Sequence, residues 1–169
     1  MTTTLVTPTS VAPDVFLQEA IDLAVTNISE GGRPFGAVVV KYGRVISRGV
    51  NEINLSNDPT AHAEMQAVRA ASQVLQSPLL EGCTVYASGH PCPMCLAAMR
   101  MAGISEVTYA FTNREAEPYG LSTAAIYEEL GMTTSLRHLR LVHVPPEITG
   151  QHPYEAWANA RGIPATAFS

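Results

Sequence analysis

The sequence predicts an α/β protein in which helices cover both faces of one sheet. Two patterns indicate this fold class. Runs with helical spacing alternate with β-rich runs along the chain, as in sheets that carry helices on both sides. The run 83–87, Cys-Thr-Val-Tyr-Ala, is nearly all apolar, which is typical of a strand buried on both faces. With 169 residues, 46% of them hydrophobic, we predict a loose lead-in over 1–12 and a single domain over 13–169.

The first half of the chain is predicted to form a helix, a hairpin and a second helix. The first helix begins at Pro13-Asp14 and ends at Gly31-Gly32, and its apolar positions recur at helical spacing: Phe16, Ala20, Leu23, Ala24 and Ile28. Two β-rich runs, 35–41 and 44–50, surround Tyr42-Gly43, so they should pair antiparallel. A polar loop over 51–59 then leads into a helix that carries His62 and that Pro78 must end.

In the second half of the chain, predicted strands and helices continue to alternate, and one of these helices carries two cysteines. The buried strand 83–87 is followed by a loop, 88–91, and by a helix carrying Cys92 and Cys95. Strand, loop and helix start in this order commonly build a site at the edge of an α/β sheet. The remaining predicted elements are a strand over 106–111, a loop over 112–120, a helix over 121–130, a strand over 139–144, a helix over 153–160 and a tail over 162–169.

Three good zinc ligands stand in two short segments, His62 in 62–64, and Cys92 and Cys95 in 91–95. If Pro91 stands at a helix start, both sulfurs lie in the first turn, where free amide groups and the helix dipole favour thiolate. No fourth protein ligand is evident, and an open position is the mark of a catalytic zinc site. We therefore predict one zinc ion per chain.

Glu64 stands two residues after His62 and points in a different direction on a helix. A metal held by the imidazole therefore leaves this carboxylate free to move protons. Zinc lowers the pKa of a bound water towards about 7, so the segment would place an activated water beside a base. A lone Cys-x-x-C is weakly specific, but His-x-Glu combined with Pro-Cys-x-x-Cys is the signature of zinc deaminases. The alternative is a structural zinc module in which His90 closes the coordination sphere.

Composition argues against several classes of partner. Net charge is −5 and Lys41 is the only lysine, which leaves little positive charge for a phosphate-binding surface, so nucleic acid is not expected as a partner. Cys83 stands in an apolar run and is predicted to be a buried strand residue. Three cysteines, two of them assigned to metal, suit a reducing compartment. No run has transmembrane length and no leader pattern is visible, so we expect a cytoplasmic protein without a membrane partner.

The sequence resembles the cytidine-deaminase-like superfamily, and within it the bacterial guanine deaminases of that fold. The similar stretches are Pro-Phe-Gly-Ala-Val at 34–38, Asn51, residues 56–64 and Ala-Trp at 156–157, within a region of about 14–160. The resemblance implies a three-layer α/β/α sandwich around a five-stranded mixed sheet. It also implies a homodimer whose C-terminal segments close over an active site, which in guanine deaminases is that of the partner.

This resemblance implies hydrolytic deamination of a free amino-purine, most simply guanine to xanthine and ammonia, with related amino-triazines as further substrates. Cytosine deaminase and tRNA adenosine deaminase are the alternatives within the superfamily. Phe35 would stack on the base, Asn51 would pair with its polar edge, and backbone amides near Ala63 and Cys92 would steady developing charge. Phe168, in the C-terminal tail, is the remaining predicted substrate contact.

Two departures from the pattern of these enzymes concern acidic residues. His90 stands where many relatives have an acid directly before the Pro-Cys pair. Ser122-Thr123 stands where guanine deaminases carry an aspartate after the equivalent of Gly120. The second departure removes an expected substrate contact.

A carboxylate from the following helix is predicted to replace that contact. Glu128 and Glu129 are the nearest acids on the segment. Tyr127 and Leu130 look like packing positions, and Glu129 lies about 100° further round the helix. We therefore expect Glu128 to bind the base and to help move protons, and Glu129 to face solvent.

Overall fold

One five-stranded sheet forms the centre of the protein. A computed structural model describes residues 13–148 and 150–163. The strands are β1 Arg33–Lys41, β2 Arg44–Asn51, β3 Cys83–Gly89, β4 Glu106–Phe111 and β5 Arg140–His143, and they lie in the order β2-β1-β3-β4-β5. β1 pairs antiparallel with β2 and β3, whereas β3, β4 and β5 run parallel. The predicted mixed sheet is confirmed.

Helices pack on both faces of this sheet. The described residues form α1 Pro13–Ser29, α2 Ile53–Ser56, α3 Ala63–Leu75, α4 Pro93–Met101, α5 Asn113–Ala116, α6 Ala124–Glu129 and α7 Pro153–Ala160. α1 and α7 share a buried cluster with Val38 and Val40 of β1. α3 and α4 share another with Ala37 and Val39, because alternate residues of a strand face opposite sides. The three-layer sandwich is confirmed, and none of the described helices is long and apolar enough to cross a membrane.

The β1–β2 hairpin turns at Tyr42 and Gly43, as predicted. Both residues have positive φ, 52° and 70°, which a two-residue turn between twisted antiparallel strands requires. The turn places Lys41 opposite Arg44, and two irregularities further along the ladder, between Val39 and Val40 and between Arg33 and Gly36, bring Arg33 opposite Asn51. The start of β1 and the end of β2 are thereby held side by side.

Two segments predicted to be loops contain short helices. Helix α2 lies within 51–59, and α5 with a following 3₁₀ turn, Glu117–Tyr119, lies within 112–120. Four residues are too few for a hydrophobic period to be visible. In α5, however, the Thr112 hydroxyl accepts from the Glu115 amide and the Glu115 carboxylate accepts from the Thr112 amide at 2.7 Å. This capping box is a sequence signature that the loop prediction overlooked.

Helices on opposite faces approach the hairpin closely at two glycines. A Cβ on Gly36 would lie 2.3 Å from the carbonyl oxygen of Ala20 in α1. A Cβ on Gly49 would lie 2.2 Å from the carbonyl oxygen of Ala63 and 2.5 Å from the amide nitrogen of Ala67, both in α3. Such contacts with backbone leave no room for a side chain, so these glycines fix the distance between each helix and the sheet.

We predict that Gly49→Ala destabilises the protein by about 1–3 kcal/mol or more, the usual cost of overpacking a core. The added methyl group must push away the first turn of α3, which follows His62. Thermal and urea unfolding would measure the loss. Arg48→Ala, on the exposed side of the same strand, is the matched control, because its surface ion pair with Glu19 should contribute only about 0–1 kcal/mol. Equal effects of the two substitutions would contradict this account of α3 packing.

Candidate metal centre

His62, Cys92 and Cys95 converge at one edge of the sheet. The edge is formed by the end of β2, the end of β3 and the start of β1. His62 is the N-cap residue of α3, and Cys92 is the N-cap residue of α4. Their ligand atoms and that of Cys95 all lie within 4.8 Å of one another, and this is the one such group found among the described residues. The structure thus brings the three predicted ligands together.

Both helix starts differ by a residue or two from the prediction. α4 begins at Pro93, so that Cys92 rather than Pro91 occupies the N-cap position, and Cys95 lies in the first turn. The Cys95 amide donates to Cys92 Sγ at 3.5 Å. Proline at the first helical position is favoured because its missing N–H would be unpaired there in any case. His62 likewise precedes α3 in an extended conformation, which explains why its ring and Glu64 diverge.

The geometry of the donor set fits zinc. Cys92 Sγ lies 3.5 Å from His62 Nδ1. Tetrahedral zinc, with bonds of about 2.3 Å to sulfur and about 2.0 Å to nitrogen, separates such atoms by about 3.5 Å. Two sulfurs and one imidazole form a soft donor set that suits zinc rather than magnesium or calcium. A fourth position is left for a water or a substrate.

The two cysteines differ in protonation in the metal-free chain. A hydrogen bond from the Cys95 thiol, together with contact to His62, lowers the pKa of Cys92 to about 4. The same hydrogen bond and burial raise the pKa of Cys95. Cys92 is therefore the ready thiolate, and Cys95 must release its proton when a divalent cation binds.

Glu64 is buried beside this group but outside it. It occupies the second position of α3 and is 8% exposed. Burial, followed by the negative charge of Cys92, raises the pKa of its carboxyl from an ordinary 4.5 to about 7. A group with a pKa near neutrality can both accept and donate a proton under physiological conditions. The position and protonation of Glu64 therefore suit the predicted role in proton transfer.

The predicted substrate contacts Phe35, Asn51 and Ala63 lie at the same edge. Phe35 is partly buried and packs against both core clusters, with its ring centroid 5.7 Å from that of Tyr154. Asn51 is 3% exposed, and its Oδ1 accepts from the Ile53 amide at 3.3 Å. Its Nδ2 donates to no side chain or backbone group in the described part of the chain. Ala63 begins α3, and Phe168 lies outside the described residues.

His90 does not join the metal group. Its Nδ1 lies 2.9 Å from the Pro91 carbonyl oxygen and 3.3 Å from Asn113 Nδ2. Its ring makes edge contacts with Tyr109 and Tyr127. The alternative in which His90 completes a closed structural site is not supported by this position.

Glu128 was preferred because Tyr127 and Leu130 were expected to pack against the domain, and the expectation for Leu130 is wrong. Leu130, expected to pack, is 64% exposed, while Tyr127 alone of the α6 residues is buried. Glu128 and Glu129 are both exposed, because a six-residue helix touches the domain through a single side chain. The role of Glu128 in binding and catalysis stays a prediction.

Sequence reasoning missed two residues that support the cysteine loop. The Tyr127 hydroxyl donates to the Pro91 carbonyl oxygen at 2.6 Å. Asn113 joins the loop to the segment before α6, since its Nδ2 lies near His90 and its Oδ1 accepts from the Thr123 amide at 3.0 Å. An aromatic residue in a short helix and an asparagine after a strand carry no specific signal in sequence.

Comparisons with known proteins agree with this geometry. The family described as the cytidine and deoxycytidylate deaminase zinc-binding region matches residues 12–111. Guanine deaminase from Bacillus subtilis (strain 168) is 40% identical over 149 residues, which cover 86% of this chain and 94% of the relative. The X-ray structure of guanine deaminase from Bacillus subtilis superposes with a TM-score of 0.70, covering 88% of this chain and 95% of that one. The tRNA-specific adenosine deaminase of Aquifex aeolicus (strain VF5) is 36% identical over 60% of this chain and 68% of its own length.

We predict that zinc-free protein loses stability between about pH 4.5 and pH 7 through Glu64. The raised pKa means that the folded chain holds a proton on Glu64 in this range that the unfolded chain releases, so the contribution of Glu64 to stability falls as pH rises and levels off above about pH 7. The contribution is about 3 kcal/mol at most. Urea unfolding with chelator and reductant at pH 5 and pH 8 would measure it.

The lowered pKa of Cys92 acts in the opposite direction over this range, so the Glu64 contribution is measured as the difference in stability between the wild type and Glu64→Gln. The variant should gain stability relative to the wild type as pH rises. Glu129→Gln, an exposed position on α6, is the matched control and should follow the wild type. A Glu64→Gln variant whose stability runs parallel to that of the wild type would show that the buried carboxyl is not the titrating group.

Proposed function

The chain belongs to the cytidine and deoxycytidylate deaminase family of zinc-dependent hydrolases, and we propose that its substrate is the free base guanine, converted to xanthine and ammonia. The observation that carries the proposal is the match to a guanine deaminase along nearly the full length of both chains. The convergence of His62, Cys92 and Cys95 beside buried Glu64 supports the same reaction. Related amino-triazines present the same reacting unit and are proposed as further substrates.

The residues of the metal centre have separate roles in hydrolysis. His62, Cys92 and Cys95 hold the zinc, which when bound lowers the pKa of a water to near neutrality. Glu64 takes a proton from the attacking water and delivers it to a ring nitrogen, and a second proton follows to the departing amine. The new bond joins the water oxygen to the ring carbon that bears the amino group, and the bond to that amino nitrogen breaks.

The base is held at the sheet edge by stacking and by donors. Phe35 offers a ring face, and such pairs contribute about 0.5–1.5 kcal/mol beyond the area that they bury. Asn51 offers its Nδ2 donor, which no described residue engages, while its Oδ1 accepts from the Ile53 amide. Backbone amides at the starts of α3 and α4, near Ala63 and Cys92, are the proposed donors to the negative charge that develops in the reaction. These contacts orient the ring over the metal.

A tRNA adenosine deaminase is the alternative within the family, because relatives with that activity match 60% of the chain. Two observations favour the free base. The match to the tRNA enzyme ends well short of the full chain, whereas the match to guanine deaminase covers 86% of it. A net charge of −5 with a single lysine gives weak attraction for a phosphate backbone.

We predict that purified protein releases ammonia from guanine faster than from cytosine, adenosine or tRNA. Glu64→Ala should keep about one zinc per chain and lose most of this activity, because the carboxylate moves protons and is not a ligand. Cys92→Ala should lose the metal and part of the stability. Ammonia assays and metal analysis would measure both effects.

His90→Ala is the control in this series and should retain zinc, since His90 lies outside the metal group. Loss of zinc in Glu64→Ala would contradict the role given to the carboxylate. Turnover of tRNA but not of guanine would replace the proposed substrate by the alternative.

We further propose a cytoplasmic homodimer with exchanged C-terminal segments. The three cysteines are unpaired and buried, which suits a reducing compartment. Large apolar side chains remain exposed on the single chain, among them Met101 at 81%, Val74 at 62% and Leu79 at 55%. Apolar surface of this kind supports an interface between subunits.

We predict that deletion of 162–169 reduces turnover of guanine more than it reduces stability, because the proposed exchange would place the tail over the site. Deletion of 1–12 is the matched control and should leave turnover unchanged. Sedimentation equilibrium, unfolding and steady-state kinetics would be measured for both. A truncated dimer with wild-type kinetics would remove the tail from the site, and a monomeric wild type would overturn the dimer.

A further inference from the structure

Arg33 is a cation at the metal edge that the proposed reaction has not used. It is the first residue of β1 and lies directly opposite Asn51, the last residue of β2. Residues opposite each other in an antiparallel pair project to the same face of the sheet. Arg33 therefore lies on the same face of the sheet as Asn51.

Asn51 belongs to the face that carries α3 and the metal group. Ser47 donates to the Ala67 carbonyl oxygen in α3 at 2.6 Å, and Gly49 touches the backbone of α3. Residues two and four positions apart on a strand share a face. Asn51, and Arg33 opposite it, therefore face the layer of α3 and α4, on the same edge as His62 and Phe35.

The guanidinium of Arg33 has no protein partner in the described part of the chain. The ion pairs found there are Arg48 with Glu19 and Arg140 with Glu106. Burial, with a smaller effect from nearby Arg161, lowers the pKa of Arg33. A partly buried cation without a carboxylate partner is disfavoured relative to a paired one, so this group can take an acceptor that the described residues do not supply.

The backbone that carries Arg33 and Asn51 is held rigidly from behind. Asn27 of α1 donates from Nδ2 to the carbonyl oxygens of Arg33 and Asn51, both at 2.8 Å. Gly32 makes room for this contact, because a Cβ there would lie 2.2 Å from Asn27 Nδ2. Two donor side chains are thus presented at a fixed spacing, as positioned recognition groups require.

We propose that Arg33 determines specificity by donating hydrogen bonds to a ring carbonyl oxygen on the base, so that the site selects amino-heterocycles that carry such an oxygen. The inference rests on the proposed function and narrows its substrate class. In guanine this oxygen is on C6, one ring nitrogen away from the carbon that loses its amine. In 2-aminopurine the reacting carbon and its amine are the same and the oxygen is absent. The two bases also differ at N1, which carries a hydrogen only in guanine, so the contact is isolated by comparing how a substitution of Arg33 changes the rate for each base.

Arg33→Met should lower kcat/KM for guanine by about 10- to 100-fold, the range expected when a hydrogen bond to a charged donor is lost, and should change that for 2-aminopurine by less than about twofold. Arg33→Lys should lower kcat/KM for guanine by an intermediate factor, because an ammonium group replaces the planar guanidinium with its several N–H donors. Arg44→Met is the matched control, since Arg44 is exposed at the other end of the same hairpin. Zinc content and melting temperature are measured for each variant.

Equal losses for the two bases, or an unchanged value for guanine, would overturn the role of Arg33. Binding gives a second readout that does not depend on turnover. In a Glu64→Ala background, the fluorescence of 2-aminopurine reports its Kd, and guanine competes for the site. Arg33→Met should raise the Kd of guanine and leave the Kd of 2-aminopurine unchanged. A wild type that releases ammonia from neither base would refute the proposed function, while the ratio of the two Kd values would still decide the inference.

Discussion

The meeting of two helix starts at one sheet edge is the constraint on which the site depends. His62 and Cys92 are both N-cap residues in extended conformation, so each side chain leaves the helix axis and reaches the other. Unpaired amides at those starts favour the negative charge of thiolate and substrate. The position of α3 is set in turn by the close contact at Gly49 of β2, the strand before it.

Burial of Glu64 beside a thiolate works against the stability of the metal-free chain. The Glu64 carboxyl and the Cys92 thiolate lie close together in a buried site, and the carboxyl keeps its proton to a higher pH as a result. A bound dication would reverse this balance, because it would neutralise the thiolates and leave the carboxyl outside the metal group. Folding, metal binding and proton transfer are therefore linked through the same few atoms.

The sequence predicted the elements with strong periodicity and the residues with distinctive chemistry. The strand over 106–111 has the observed limits, and the three ligands meet as expected, since few residue types bind zinc. Helices α2 and α5 were missed because four residues show no period. Leu130 was misplaced because in a helix as short as α6 tertiary contact at Tyr127, not amphipathic pattern, decides what is buried. The partners of Tyr127 and Asn113 are distant in sequence, so only the fold reveals them.

Asn27 controls the geometry of the metal edge of the sheet from outside the site. It lies on α1, behind the sheet, yet its amide fixes the spacing between the ends of β1 and β2. An acid at this position could not donate to two carbonyl oxygens, and a larger neighbour at Gly32 would displace it. Evolution can therefore alter the width of the recognition edge by substitutions on the opposite layer, without changing any residue that touches a base. Substrate preference in such a scaffold can drift while every residue in the pocket stays the same.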